Sequence, residues 1–188
     1  MNSSFSHYCT IFLSWHYPLT WKWVPLNYYD MDLEQRAILL KTHSKMQHCK
    51  SLLFENKNFS VVGDYDRRNS QFYLVIVQFG PEITSKSLEF EVWALLPLQE
   101  RFEQSKYEFC LASADDNNRL TGYVNNFLTP FGLLGKETVP IILASAIKRE
   151  INFMFMGGGH VDLKLGMAVQ EFIRATNAFV LDISVTRS

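Results

Sequence analysis

The chain has 188 residues, 47% of them hydrophobic, which suffices for one well-cored domain and falls short of two of ordinary size. Eighteen Lys and Arg against nineteen Asp and Glu leave a formal charge of -1, so there is no global basic field of the kind that grips a long nucleic-acid duplex, although a local basic site remains open. Cys9, Cys49 and Cys110 are widely separated, with no CxxC and no metal-ligand spacing to the five histidines, so neither a zinc site nor a disulfide framework is indicated.

The first 26 residues hold Trp15, Trp21 and Trp23, one lysine (Lys22) and no acidic residue. They read as an aromatic-rich N-terminal extension, 1–26, in front of a domain spanning 27–188. Such a segment can pack on the domain, lie in a membrane interface, bind a partner or stay loose. No apolar run reaches the roughly 18 residues of a membrane span, and the pattern predicts no signal peptide. A cytoplasmic protein with no membrane partner is therefore expected.

From Asp30 the pattern is regular. Leu33, Ala37 and Leu40 recur at helical spacing, and Asp32 with Gln35 forms a capping pattern, predicting a helix over 32–42. Lys50 to Glu55 reads as a strand, Asp64 to Ser70 as a polar loop, and the nearly continuous apolar run Phe72 to Phe79 as a central strand covered on both faces. Ser87 to Leu96 predicts a helix ending before Pro97, Lys106 to Leu111 a strand, and Asp115 to Leu120 a short helix stopped by Gly122. Strands follow at Val139 to Leu143 and Ile151 to Met156, a helix at 167–176, and a closing strand at Phe179 to Ile183. The mixture of elements is that of an α+β fold, without internal repeats.

Residues 153–166, FMFMGGGHVDLKLG, run an apolar strand into three glycines followed by an amphipathic segment. Gly157, Gly158 and Gly159 can take positive φ and turn peptide N–H groups toward a phosphate or oxyanion; the same triplet also suits a plain turn. His160 and Asp162 beside them read either as an acid–base or ligand pair or as solvated loop residues. On the strand at 50–55, adjacent side chains point to opposite faces, so Cys49 belongs to the core if Lys50 faces a cleft. Lys50 itself stands at the edge of an apolar wall, as a cleft cation or a solvated strand end. The segment Arg119 to Gly132, RLTGYVNNFLTPFG, combines a helix-ending glycine, an Asn-Asn pair and a Thr-Pro, which together predict a shaped loop.

Lys50 in HCKSLLFEN, the loop RLTGYVNNFLTP, the strand VPIILASAI and the segment FMFMGGGHVDLKLG, in that order, resemble the YbaK and prolyl-tRNA synthetase-associated deacylase superfamily, most closely its stand-alone eukaryotic branch. The resemblance runs from about Tyr28 to the C-terminus. It implies a mixed, barrel-like β-sheet with flanking helices, and an aminoacyl-tRNA deacylase that removes a small, wrongly esterified amino acid from tRNA, usually proline tRNA, in trans and with neither metal nor cofactor. The implied partners are the acceptor 3′ end of the tRNA and an aminoacyl-tRNA synthetase, with no DNA. Lys50 matches the lysine that orients the terminal adenosine, and Gly157, Gly158 and Gly159 match the loop whose amides face the scissile ester. The family's Gly-x-x-x-Pro loop falls on Asn126 to Pro130, with Asn126 where glycine is usual, so Gly122, Asn126, Thr129, Pro130 and His160 are implied on the substrate side. Gly157 stands where bacterial members carry serine. A rival reading keeps the fold as a non-catalytic module that holds tRNA ends or a synthetase.

Overall fold

The structure is a computed structural model, and it describes residues 19–61, 63–80, 82–123, 128–135 and 138–185. Asn126 and residues 1–18 therefore lie outside the described residues.

The centre is β3 (Phe72–Gln78), in which every residue is buried, as its unbroken apolar run predicts. It pairs antiparallel with β2 (Cys49–Asn56) on one side and parallel with β6 (Ile141–Ala144) on the other. β9 (Phe179–Leu181) joins β6 in parallel and β5 (Phe109–Leu111) joins the far end of β2, giving a five-stranded sheet in the order β5-β2-β3-β6-β9. A second sheet contains β1 (Leu19–Trp23), β8 (Leu163–Ala168) and β7 (Phe153–Gly157) in that order, all antiparallel. A two-stranded ribbon pairs β4 (Glu82–Ile83) with β10 (Ser184–Val185).

Five α-helices accompany these strands among the described residues. α1 (Leu33–Leu40) begins with the capping box that its sequence predicts: Asp32 Oδ1 accepts from the Gln35 N–H at 2.8 Å, and Gln35 Oε1 accepts from the Asp32 N–H at 3.0 Å. Such a cap is worth about 1 kcal/mol. α2 (Ser85–Trp93) presents buried Leu88 and Val92 to the core, and α3 (Ala114–Thr121) ends at Gly122 in left-handed geometry (φ 75°). α4 (Ser145–Glu150) and α5 (Val169–Thr176) contribute Ile147, Val169 and Phe172, all essentially without exposure. These join β3 and β6 in one large apolar cluster.

The mixed α+β fold is as expected, but the sheet does not close into a barrel. The five-stranded sheet ends on β5 and β9, the three-stranded sheet on β1 and β7, and an isolated parallel bridge from His48 to Phe155 joins the two. Further differences from the sequence reading concern particular segments. Residues 19–26, read as part of an extension, enter the fold: β1 pairs with β8, Val24 is buried, and Lys22 reaches the Leu40 carbonyl from β1. The amphipathic segment after the glycines, to which the sequence reading assigns no element, forms β8, and the helix expected over 167–176 runs from Val169 to Thr176. Lys106 closes a short 3-10 turn instead of opening a strand, and α4 occupies a stretch expected to connect two strands.

Candidate functional site

The edge of β2 opposite β3 is only partly covered. At its start, β7 approaches through the His48–Phe155 bridge; at its end, β5 pairs with Phe54 to Asn56, and the Ala112 N–H reaches the Leu53 carbonyl at 2.9 Å. Between those two partners the edge at Lys50, Ser51 and Leu52 borders a cavity of about 540 Å3. Gly157, Leu111, Ala112 and Leu128 line it from the facing elements.

Lys50 and Gly157 both line this cavity, on two strands that run in parallel from the His48–Phe155 bridge. The three glycines, however, do different things. The Gly158 N–H donates to the Leu163 carbonyl at 2.9 Å, closing the β7–β8 hairpin, so it is committed within the fold and is no free oxyanion donor. A Cβ on Gly158 would lie 3.0 Å from Leu163 Cγ and 3.1 Å from Trp21 Cζ3, so glycine serves close packing there. Only Gly159 of the three takes positive φ (84°), and it packs on Tyr123 and Thr129. Because the Gly158–Leu163 hydrogen bond alternates with a non-hydrogen-bonded pair, Gly157 and Lys164 form the latter. The Gly157 N–H and C=O consequently turn to the other edge of β7, the one that carries the His48 bridge and borders the cavity.

The remaining expected residues sit around this turn instead of in the cavity lining. The loop after α3 is closed by the Tyr123 hydroxyl, which donates to the Phe131 carbonyl at 2.8 Å. Gly122 caps α3, and a Cβ on it would meet Leu134 at 3.1 Å, so its role is the helix end. Thr129 is buried, its hydroxyl unpartnered among the described residues, and Pro130 is buried beside it. His160 stands outside the lining, edge-on to the Trp23 ring at 5.5 Å, with its Nδ1 accepting from the Asp162 N–H at 3.2 Å. Cys49 is buried at 3% exposure in the core, and burial pushes its thiol pKa up, away from thiolate chemistry.

The sequence reading missed most of the cavity's charge. Arg36, on the face of α1 that meets the site, donates through Nε to the Tyr28 and Met31 carbonyls at 3.1 and 3.0 Å and through Nη2 to the Tyr29 carbonyl at 2.8 Å. Its guanidinium lies 5.2, 5.5 and 5.8 Å from the Tyr28, Tyr29 and Phe79 ring centres. Lys164, only 5% exposed, donates to the Tyr29 hydroxyl at 2.6 Å and to the Val161 carbonyl at 3.3 Å. Burial, with Arg36 adding repulsion, brings the Lys164 pKa down to about 8. His48, 2% exposed, has its Nδ1 3.4 Å from the Tyr28 hydroxyl and a buried Nε2 without a partner among the described residues. Burial and the neighbouring Arg36 and Lys164 hold its pKa down at about 4, so it is neutral at pH 7. Burial likewise pushes the Tyr28 hydroxyl up to about 12, keeping it protonated.

No protein-family profile and no curated protein matches the chain. Similar solved structures set the class of the fold. A candidate trans-editing enzyme for prolyl-tRNA synthetase superposes with a TM-score of 0.66 at 16% identity, over 89% of this chain and 87% of that one. A hypothetical protein of unassigned role gives 0.62 at 18% identity, over 89% and 92%. A scaffold redesigned to present linear epitopes gives 0.66 at 14%, over 90% and 88%. At such identities the likeness concerns architecture, and it agrees with a YbaK-like fold.

Proposed function

We propose that the chain is a trans-editing aminoacyl-tRNA deacylase that hydrolyses a small, wrongly attached amino acid from the 3′ end of a tRNA, proline tRNA first among them. The observation that carries this reading is the convergence of Lys50 and the Gly157 edge on one cavity whose described lining contains Arg36, Lys50 and Lys164 and no carboxylate. The resemblance of the ordered segments to editing deacylases and the likeness to a candidate trans-editing enzyme support it.

In this mechanism Lys50 and the aromatic wall hold the terminal nucleotide, and the Gly157 N–H faces the ester carbonyl. Water attacks the carbonyl carbon, helped by the neighbouring ribose hydroxyl. The tetrahedral oxyanion is met by the amide, and the ribose oxygen leaves with a proton, releasing the amino acid and an uncharged tRNA. An aminoacyl ester is already activated, so positioning and one oxyanion donor, worth about 10² to 10³ in rate, can suffice. The purpose is clear from energetics, since a synthetase pocket rejects a residue differing by one methylene only about 10 to 200-fold. Such an enzyme would work in the cytoplasm beside a synthetase.

The test is hydrolysis by purified protein of proline tRNA charged separately with alanine, cysteine and serine. Release of at least one of them above the spontaneous rate supports editing. Tight binding of tRNA with no release would make the fold a holding module, a reading favoured by one observation, the commitment of the Gly158 amide to Leu163.

A further inference from the structure

Three cations share one aromatic chain along the cavity. Lys50 Nζ lies 5.8 Å from the Phe79 ring centre, and Arg36 lies at the same distance from that ring. Arg36 in turn shares the Tyr28 and Tyr29 rings with Lys164, whose Nζ is 4.8 and 4.4 Å from them. None of the three forms an ion pair among the described residues: Arg36 bonds backbone carbonyls, and Lys164 bonds a hydroxyl and a carbonyl. Arg36 Nη1 keeps no protein acceptor among them.

Uncompensated charge next to low-dielectric walls is costly, and a fold ordinarily supplies a carboxylate. Here the rings temper the charges, and the only carboxylate acting on Lys164 among its described neighbours, Asp162, lies outside the cavity lining. A second, independent sign of a ligand comes from the same walls. His48, almost completely buried and lining the cavity on the same strand face as Lys50, leaves Nε2 unpartnered among the described residues. The arrangement matches an anion rich in acceptor oxygens carried by a flat, stackable group.

We propose that Arg36 and Lys164 form a phosphate-binding subsite beside Lys50, which takes the 5′-phosphate of the substrate's terminal nucleotide. This inference rests on the editing reading for the identity of the nucleotide. It assigns the cavity's charge to two residues on elements remote in sequence, the face of α1 and the centre of β8. It also gives Tyr28 and Tyr29 a purpose, holding both cations against the cavity wall in the absence of ligand.

The experiment compares two non-hydrolysable ligands on the full chain by calorimetry: amide-linked 3′-alanylamino-3′-deoxyadenosine with and without a 5′-phosphate. The phosphorylated compound is expected to bind at least about tenfold tighter at low salt, the size of a charge-assisted contact. In Lys164→Gln that advantage should fall to within about twofold. Equal affinities in the parent protein, or no detectable binding of either compound at millimolar concentration, overturn the subsite. So does an undiminished advantage in folded Lys164→Gln, which would leave the phosphate to Lys50 alone. Should Lys164→Gln not fold, Arg36→Lys is used, which keeps the charge, shortens the fork and should lower the advantage severalfold; an unchanged advantage there overturns the proposal. Release of amino acid from charged tRNA, run in parallel, separates the two readings. Hydrolysis without a phosphate advantage removes the subsite and keeps editing, and a phosphate advantage without hydrolysis keeps the subsite and removes editing.

Discussion

Lys50 and Gly157 each lie two residues beyond the His48–Phe155 bridge, one on β2 and the other on β7, so a single backbone contact sets a cation and a peptide edge side by side. Lys50 needs no packing partner to keep its place, since β2 is fixed along its whole length by β3. Lys50→Ala should therefore leave the melting temperature near that of the parent and lower deacylation at least about tenfold, equivalent to about 1.4 kcal/mol. Turnover within twofold at matched stability would take Lys50 out of the site.

Cys49, one residue away, faces the other way into the core. Cys49→Ser should keep its hydrolysis rate and lose about 1 to 3 kcal/mol of stability, because a hydroxyl there would need a hydrogen bond that the apolar surroundings do not offer. Denaturant titration and single-turnover kinetics on the same preparation check both halves; lost hydrolysis with unaltered stability would restore the thiol as a nucleophile.

Lys164 offers a contrast between stability and binding. Its pKa is lowered from the ordinary lysine value to about 8, so at pH 7 the folded state holds a buried ammonium that the unfolded chain hydrates freely. Arg36, Asp162, Tyr28, Tyr29 and His48 surround it. Lys164→Met should raise stability at pH 7 by about 1 to 3 kcal/mol. From about pH 8 upward the folded protein sheds the proton first, parental stability recovers, and the gap should narrow. Urea melts at pH 7 and pH 10 would show it, and a gap that widened would contradict the buried charge.

His48 governs the acid side. Its pKa is held down from 6.5 to about 4 in the fold, so between those values the unfolded chain binds a proton that the native chain refuses. Stability present above pH 6.5 should drain away as the pH falls through about 4, and His48→Gln should flatten that slope. The observable is the urea midpoint measured across this range.

Gly158→Ala should act on the fold before the chemistry. The new Cβ would press on Leu163 and Trp21 at 3.0 to 3.1 Å, and the Leu163 carbonyl, being backbone, cannot swing aside. A fall in melting temperature of several degrees, with hydrolysis largely kept at low temperature, is expected. An unaltered melting temperature with hydrolysis lost would return Gly158 to catalysis.

Legibility in the sequence followed the range of the signal. The capped helix α1, the all-buried β3 and the stop at Gly122 are local patterns, and each lies close to where periodicity puts it. Lys50 and Gly157, which both line the cavity, sit in segments that the resemblance makes recognisable. Arg36 and Lys164 do not stand out: on a short amphipathic helix an arginine looks solvated, and a lysine between Leu163 and Leu165 looks like the polar face of a strand. What buries Lys164 is the pair of tyrosines at 28 and 29, more than 130 positions away. Reading the glycines as a hairpin turn would have set Lys164 opposite Gly157, and that was the available clue. β1 was hidden for the same reason, because its partner β8 is equally remote.

The pairing of β1 with β8 also bears on how the protein behaves in a crowd. β8 carries Leu163, Leu165 and Met167, all buried, and without β1 it would present an open row of peptide groups beside an apolar surface. Such a row is a template for the same segment of another molecule. A chain begun at Met31 would thus lose the tyrosines of the cavity and, in the same cut, its guard against self-association. Residues 19 to 30 serve twice, covering the β8 edge through β1 and supplying the cavity's two tyrosines.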